Sequence, residues 1–245
     1  MNEIKLHKNY IFCFFSRNRE ISKHKFSSLN CAYNRGDSDA IVKKNRNFTS
    51  NYLNKNKIIL TNQVHSNIVS YVDKNFSKDI NSDAMITNRK DILLGILTAD
   101  CAPIIVLGKK YFGIIHAGWK GLIDGIIENT IMKFNSLGET ENHLNVIVGP
   151  HLSVDSFEVK KDFVDNIKKK IKDYDNFIER KRQKNFFNFS GLIESKLIDL
   201  KIMNYEISKE NTFSNPKKFF SHRYCYTNKI KFCGRQISLV GIKNN

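Results

Sequence analysis

Short apolar runs separated by polar turns dominate the first half of the chain and predict a sheet-rich fold. The two clearest runs, Leu93–Leu97 and Tyr111–Ile115, are rich in β-branched and aromatic residues and too short for stable helices, so each is predicted to be a buried strand. Further strands are predicted at Tyr10–Phe15, Ile58–Leu60, Ile68–Val72, Asp83–Thr87, Val146–Val148 and Gln236–Ile242. Strands that follow one another without intervening helices favour an antiparallel or mixed sheet.

Apolar positions also recur with helical spacing in several later segments. A helix is predicted to start near Ser38, and the clearest helical pattern runs from Leu122 to Phe134 before a terminating Gly138. Two more helices are predicted at Lys161–Tyr174 and Ser190–Leu200. Since there is no internal repeat and no low-complexity linker, residues 1–245 are expected to form a single domain of mixed α/β class.

The composition is that of a globular protein, with 41% hydrophobic residues in a chain of 245. No stretch approaches the roughly 18 consecutive apolar residues of a membrane span, and no signal peptide is recognisable, so a cytoplasmic location without membrane association is expected. The five cysteines are an odd number without CxxC spacing, which gives no disulfide framework.

A formal net charge of +16 suggests an attraction for phosphate-bearing ligands. The lysines, however, are spread along the whole chain, and no basic helix or RNP-like aromatic motif accompanies them. A specific nucleic-acid partner is therefore not expected, whereas binding of small anions such as phosphate remains compatible with the charge.

Reactive side chains stand near the ends of three predicted strands. Asp100 and Cys101 follow the run Leu93–Leu97, His116 follows Tyr111–Ile115, and His65 lies in the polar turn after Ile58–Leu60. Gly-rich phosphate loops and the GxSxG motif are absent from the sequence, which removes the usual signatures of nucleotide hydrolysis, Rossmann redox chemistry and serine hydrolysis.

Two interpretations of these residues remain open. Cys101 could be a nucleophile paired with a histidine, or His65, Cys101 and His116 could be three ligands of a metal ion. Three mixed nitrogen and sulfur ligands would leave a fourth position open, as in catalytic rather than structural zinc sites. Spacing alone does not decide, because no HxxxH or CxxC motif forces the three residues together.

An ordered set of motifs resembles the laccase-domain purine nucleoside phosphorylase family, which also goes by the name multicopper polyphenol oxidase. The resemblance runs from about Ser27 to Gly241. The matching segments are Asn62-Gln63-Val64-His65, Asp83-Ala84-Met85-Ile86-Thr87, Thr98-Ala99-Asp100-Cys101-Ala102-Pro103, His116-Ala117-Gly118-Trp119-Lys120-Gly121, Gly149-Pro150 and Phe219-Phe220-Ser221-His222-Arg223. The TADC and HAGW segments, in this order, are highly specific.

The resemblance implies both a fold and an activity. The fold would be a single-domain mixed β-sheet sandwich with flanking helices, as a monomer or homodimer. The activity would be phosphorolysis of adenosine, inosine and methylthioadenosine to the base and ribose 1-phosphate, together with deamination of adenosine. The family's catalytic zinc ligands match His65, Cys101 and His116. Asp100 is a candidate acid/base or ligand-orienting residue, and Arg223 and Arg46 are candidate phosphate-binding residues.

The chain also departs from the family pattern. Residues 149–159 lack the paired cysteines common in the family, and residues 22–25 replace a glycine-rich approach to the N-terminal loop. Two alternatives to the zinc enzyme remain, namely a copper-dependent polyphenol oxidase and a non-catalytic protein that binds nucleosides or anions. A trinuclear copper cluster would require more histidines than the seven present, which disfavours multicopper oxidation.

Overall fold

A computed structural model describes residues 3–17, 28–55, 57–77 and 80–244 of the chain. Residues 22–25, where the family pattern is replaced, lie outside the described residues. Within the described part the strands, in chain order, are β1 (Lys5–His7), β2 (Tyr10–Phe14), β3 (Ile58–Ile59), β4 (Val69–Tyr71), β5 (Ala84–Thr87), β6 (Leu93–Thr98), β7 (Ala102–Leu107), β8 (Phe112–Ala117), β9 (Asn145–Val148), β10 (Glu158–Val159), β11 (Ile178–Lys181), β12 (Lys184–Phe187), β13 (Asn204–Ile207) and β14 (Gln236–Ile242).

The helices of the described residues lie mostly in the second half of the chain. They are α1 (Asp39–Tyr52), α2 (Trp119–Ile123), α3 (Ile126–Ser136), α4 (Lys161–Lys170), α5 (Phe189–Asp199) and α6 (His222–Thr227). None of them is long and apolar enough to cross a membrane.

Two mixed sheets form the centre of the molecule. One has the strand order β1-β2-β14-β6-β3 and the other β13-β9-β7-β8-β5-β4, while β10, β12 and β11 form a small third sheet. In both large sheets most pairs are antiparallel, but β3 with β6, β4 with β5 and β9 with β13 are parallel. The expectation of a mixed sheet is confirmed.

Strand alternation explains the layers. In β6, Leu94 and Ile96 point to the interior between the two large sheets and pack with Ile105 and Ile114 of the facing sheet, whereas Leu93 packs on the other side. The outer face of the six-stranded sheet is covered by apolar residues of α3 and α5, and the outer face of the five-stranded sheet by residues around α1. The result is the expected sheet sandwich with flanking helices.

Two details of the central stretch differ from the prediction. A third strand, β7, lies between the two apolar runs, and His116 is inside β8 rather than after it, paired with Pro103 of β7. This is possible because the imidazole finds a buried carboxylate partner, Asp83.

The continuous helix predicted from Leu122 to Phe134 is wrong. It is interrupted at Gly125, whose φ of +91° belongs to the left-handed region that glycine adopts without strain. The side chain of Asn67 donates to the carbonyl of Asp124 at this break, so a preceding loop satisfies a backbone group that the interruption exposes.

Candidate active site

Cys101 and His116 are brought together by the hairpin of β7 and β8. Cys101 immediately precedes β7, and His116 is the penultimate residue of β8, so the register that pairs Pro103 with His116 puts both side chains at the same edge of the sheet. Asp100, next to Cys101, adopts a φ of +89° in the tight connection between β6 and β7. This edge therefore presents a thiol beside an imidazole.

His65 reaches the same edge from the loop between β3 and β4. Gln63 fixes this loop by exchanging two hydrogen bonds of 2.8 Å with the backbone of Leu97. His65 itself has a φ of +60° and an exposed side chain. The loop packs so tightly on the start of α2 that a Cβ at Gly118 would lie 2.5 Å from His65 Cδ2, and one at Gly121 would lie 2.5 Å from the carbonyl oxygen of Ser66. The glycines of the HAGWKG segment therefore make room for the His65 loop.

The Asp83 carboxylate contacts both the backbone of the His65 loop and the ring of His116. This fully buried carboxylate accepts hydrogen bonds from the backbone N–H groups of Val64, His65 and Ser66, from the Ser66 hydroxyl, and from Nδ1 of His116 at 2.8 Å. Burial would raise the pKa of Asp83, but the hydrogen bonds from His116 and Ser66 hold it at about 2. The sequence pattern predicts only a strand at Asp83, although a carboxylate at the head of a wholly apolar strand requires a partner.

The donor atoms of His65, Cys101 and His116 all lie within 4.8 Å of one another. Cys101 Sγ is 3.8 Å from His65 Nε2, and the two imidazole rings meet edge to face with centroids 4.8 Å apart. Zinc binds nitrogen at about 2.0–2.1 Å and sulfur at about 2.3 Å, so the sulfur–nitrogen distance suits a shared ion. Because Asp83 occupies Nδ1 of His116, Nε2 is left as that residue's ligand atom, the arrangement usual in zinc sites. The three residues fit a metal ion with small adjustments.

The ionisation of Cys101 and His116 is coupled in the metal-free protein. Burial would raise the pKa of the Cys101 thiol, but the charge of His116 and hydrogen bonds from both histidines lower it to about 6. Burial would lower the pKa of His116, whereas the charge of Cys101 and the hydrogen bond to Asp83 raise it to about 9. This coupling favours the thiolate of Cys101, which is the form that binds metals or attacks electrophiles.

His65 and Cys101 line a cavity of about 420 Å³. Its apolar wall consists of Trp119, Leu152, Phe157 and Phe189, and its polar side carries Asp100, Lys120, His222 and Arg223. A concave site of this size with aromatic walls and a few convergent polar groups is typical of small-molecule binding sites.

The carboxylate of Asp100 is occupied by structural hydrogen bonds. It accepts from the hydroxyl of Thr212 and from the backbone N–H of Arg223, both at 2.6 Å. Asp100 thereby holds the start of α6 against the cavity, and Arg223 donates through Nη1 to the carbonyl of Glu158 and lies over the ring of Phe157. These contacts make Asp100 a positioning residue for Arg223; its assignment as an acid/base stays a prediction.

Arg46 occupies a different environment. It is half-buried on α1, where Nε donates to the carbonyl of Cys31 at 2.8 Å and the guanidinium lies 4.3 Å from the centroid of the Tyr33 ring. It is not among the described residues that line the cavity. Its role in substrate binding also stays a prediction.

The segment that lacks the family's paired cysteines contains a histidine whose two ring nitrogens both form hydrogen bonds. His151 is buried, with Nδ1 donating to the carbonyl of Gly149 and Nε2 accepting from the hydroxyl of Ser190. The neighbours of this pair, Leu152 and Phe189, form part of the apolar cavity wall. His151 therefore ties together two segments that shape the cavity.

The sheet sandwich of this chain recurs in solved structures. A crystal structure of a Neisseria meningitidis protein from the DUF152 family has the same fold, with a TM-score of 0.86, 22% sequence identity and coverage of 99% of each chain. The chain belongs to the family described as multi-copper polyphenol oxidoreductase laccase, whose model matches residues 11–243.

Relatives in this family carry names from nucleoside chemistry. A Rickettsia prowazekii protein named purine nucleoside phosphorylase is 27% identical over 245 residues, which cover 98% of this chain and all of the relative. A protein named adenosine deaminase, from an unknown prokaryotic organism, is 29% identical over 123 residues, covering 46% of this chain and 47% of the relative. The resemblance found in the motifs is confirmed at the level of the family.

Proposed function

We propose that the protein is a zinc-dependent purine nucleoside phosphorylase, which cleaves adenosine, inosine and methylthioadenosine to the base and ribose 1-phosphate and also deaminates adenosine. The observation that carries the proposal is the meeting of His65, Cys101 and His116 beside an aromatic-walled cavity. The names of the two relatives support nucleosides as the substrate class.

His65, Cys101 and His116 would hold the zinc ion, which when bound supplies Lewis-acid activation of a water molecule or a substrate oxygen. Asp83 accepts a hydrogen bond from Nδ1–H of His116 and so fixes the tautomer that offers Nε2. It also holds the backbone of the His65 loop, and hence the distance between the two histidines. Asp83 therefore acts on the site through its neighbours.

The apolar wall suits a purine base. Trp119, Phe157 and Phe189 offer flat aromatic surfaces, and Trp119 is itself braced by Phe163 with ring centroids 4.9 Å apart. Aromatic rings stack on heterocycles and exclude water from them at small cost in conformational entropy. The base would therefore lie against this wall, with its sugar directed toward the polar side of the cavity.

The polar side suits phosphate. Lys120 and Arg223 both line the cavity, and the backbone of Arg223 is fixed by Asp100. Nη1 of Arg223 is engaged with Glu158, which leaves the other guanidinium nitrogens to bind an anion. These two cations would orient phosphate for attack on the sugar carbon.

Adenosine turnover with and without phosphate tests the proposal. Purified zinc-loaded protein is expected to form adenine and ribose 1-phosphate only when phosphate is present, and inosine in its absence, as separated by liquid chromatography. Cys101→Ala should abolish both reactions, because it removes a ligand. Cys225→Ala is the matched control, since it removes a half-exposed thiol outside the ligand group. Zinc-loaded protein that forms neither adenine nor inosine would overturn the proposal.

The same preparation distinguishes the alternatives. A copper-dependent polyphenol oxidase, suggested by the family's description, would consume oxygen with a phenolic substrate after copper loading. A non-catalytic binding protein would bind adenosine equally well before and after Cys101→Ala and would turn over nothing. Within the described residues the His–Cys–His group is the one metal-ligating cluster, fewer sites than a blue copper centre plus a trinuclear cluster require.

A further inference from the structure

A second concave site lies at the other end of the sheets. It has a volume of about 890 Å³ and draws its lining from the β1–β2 turn, the end of α1, the β5–β6 and β7–β8 turns and the residues after β14. We name it the lysine cavity, after the six lysines that line it: Lys8, Lys55, Lys90, Lys109, Lys110 and Lys243.

The lysine cavity is separate from the candidate active site. Cys101 precedes β7 and Lys109 follows it, so the six residues of this strand separate the two sites by roughly 20 Å at about 3.4 Å per residue. The register of β14 agrees, because Gln236 pairs with Thr98 near the active site while Lys243 follows the opposite end of the strand. A ligand in one site therefore leaves the other accessible.

The concentration of lysine exceeds what the composition explains. The chain has 40 lysines and arginines in 245 residues, a frequency that predicts about two in a lining of this size, whereas six of its eleven residues are lysines. The described lining contains no Asp or Glu. Since the six lysines come from five separate segments, the fold itself assembles the charge.

Nearby carboxylates are already engaged. Glu139 accepts hydrogen bonds from the backbone N–H groups of Lys109, Lys110 and Tyr111, and so leaves the lysine side chains of this turn free to face the cavity. Asp91 forms an ion pair with Arg89. Neither carboxylate lines the cavity, although Asp91 acts electrostatically on Lys55, so the six lysines leave a net positive charge at the cavity.

One of the lysines is fixed in the wall. Lys55 is only 9% exposed, and its ammonium donates to the carbonyl of Lys90 at 2.7 Å and to the side chain of Asn244. These bonds join three of the segments that form the cavity and hold one cation in place through neutral acceptors. Such a preorganised cation costs little further entropy when an anion binds.

We propose that the lysine cavity binds an oligophosphate, an anion with two or more linked phosphate groups, either free or as the phosphate chain of a nucleotide. Several lysine ammonium groups around one concavity can pair with several phosphate groups, because each ammonium is a compact point charge. Tyr10 is buried with its hydroxyl donating to the backbone of the β7–β8 turn, so it offers no stacking surface and recognition rests on the phosphates. The concave shape favours a compact ligand over a nucleic-acid strand, which would require an extended basic stripe.

Isothermal titration of the full chain with inorganic tripolyphosphate tests the proposal. Saturable binding that depends on the cavity lysines is expected, with similar affinity for adenosine triphosphate, whereas binding of adenosine at the candidate active site should not depend on them. Lys109→Glu with Lys110→Glu should weaken binding by about tenfold or more, and Lys90→Glu with Lys243→Glu, on different segments, should do the same. Lys169→Glu with Lys172→Glu is the matched control, because both lysines are exposed elsewhere and the net charge changes equally.

Three results would overturn the proposal. The first is the absence of saturable tripolyphosphate binding at millimolar concentration. The second is equal weakening by the control pair, which would mean a general charge effect. The third is tighter binding of a single-stranded RNA than of tripolyphosphate with the same dependence on these lysines, which would identify a nucleic-acid surface. Circular dichroism of each variant shows whether it is folded, and the two cavity pairs give independent measurements if one of them is not.

Discussion

Replacement of Asp83 by asparagine is the sharpest test of how the site is assembled. Asp83→Asn keeps the shape of the side chain but removes its charge and turns one acceptor oxygen into a donor. In the structure both oxygens accept, from the backbone of residues 64–66, from the Ser66 hydroxyl and from His116 Nδ1. Each oxygen accepts from at least two of these groups, so the new amide group must face two or more donors.

The magnitude follows from burial. Asp83 is completely inaccessible to solvent, so donors that lose their acceptor stay unsatisfied, at about 1–3 kcal/mol each. With two donors affected the variant should be destabilised by about 2–6 kcal/mol, which for a chain of this size lowers Tm by roughly 5–20 °C. Loss of the acceptor on His116 Nδ1 should also weaken zinc binding about 10- to 100-fold.

Competition with a chromophoric zinc chelator measures the affinity, and thermal unfolding of the metal-free protein measures the stability. Asp91→Asn is the control, because that carboxylate is exposed and paired with Arg89, and it should change Tm by no more than about 1–2 °C. Zinc affinity within twofold of the parent protein in Asp83→Asn, with an unchanged Tm, would refute the idea that this carboxylate organises the two histidines.

Four further outcomes are expected. Gly118→Ala should cost about 1–3 kcal/mol and weaken zinc binding, because its Cβ would displace the His65 ring; an unchanged zinc affinity would contradict this. Glu139→Gln should destabilise by about 1–3 kcal/mol at pH 7. Burial raises the pKa of Glu139, but three backbone N–H groups lower it below the ordinary value, so this stabilisation exists above about pH 4.3 and should disappear in acid unfolding curves as the pH falls through the lower folded-state pKa. Arg223→Lys should raise KM for phosphate about tenfold with little effect on phosphate-independent deamination, whereas Arg180→Lys, at an exposed ion pair, should change neither. Residues 1–245 should unfold as a single domain with equal calorimetric and van't Hoff enthalpies, and two separate transitions would exclude this.

Periodicity was sufficient for the elements whose pattern is local. The strand Gln236–Ile242 has the predicted boundaries, and the first helix has the predicted start after Ser38, because an apolar run and a turn followed by a helix-start residue are visible directly in the sequence. The break between α2 and α3 was missed, since Gly125 sits inside a continuous apolar pattern and its left-handed φ is stabilised from outside by Asn67. A tertiary contact here overrides the local preference.

The candidate site likewise combines residues that the sequence identified with one whose role only the fold reveals. The resemblance to a family pointed to His65, Cys101 and His116, while spacing alone left their proximity undetermined, because 36 residues separate His65 from Cys101. Asp83 was missed because its role exists only once β5 pairs with β8 and presents the carboxylate to His116. Arg46 was also named as a candidate; its guanidinium contacts Cys31 and Tyr33, and its role in substrate binding stays a prediction.

The arrangement of the His65, Cys101 and His116 side chains depends on two constraints that act on the exposed His65 loop. His65 is the exposed member of the group, and it lies in the loop between β3 and β4, whereas Cys101 directly precedes β7 and His116 is in β8. Asp83 pulls the loop inward by its backbone, and the absence of a side chain at Gly118 and Gly121 permits the approach. Burial of this carboxylate costs free energy unless its oxygens accept hydrogen bonds. Formation of the His65 loop and of the His116 contact is therefore expected to be cooperative. A single buried anion thereby joins the stability of this sheet edge to the position of His65 at the cavity.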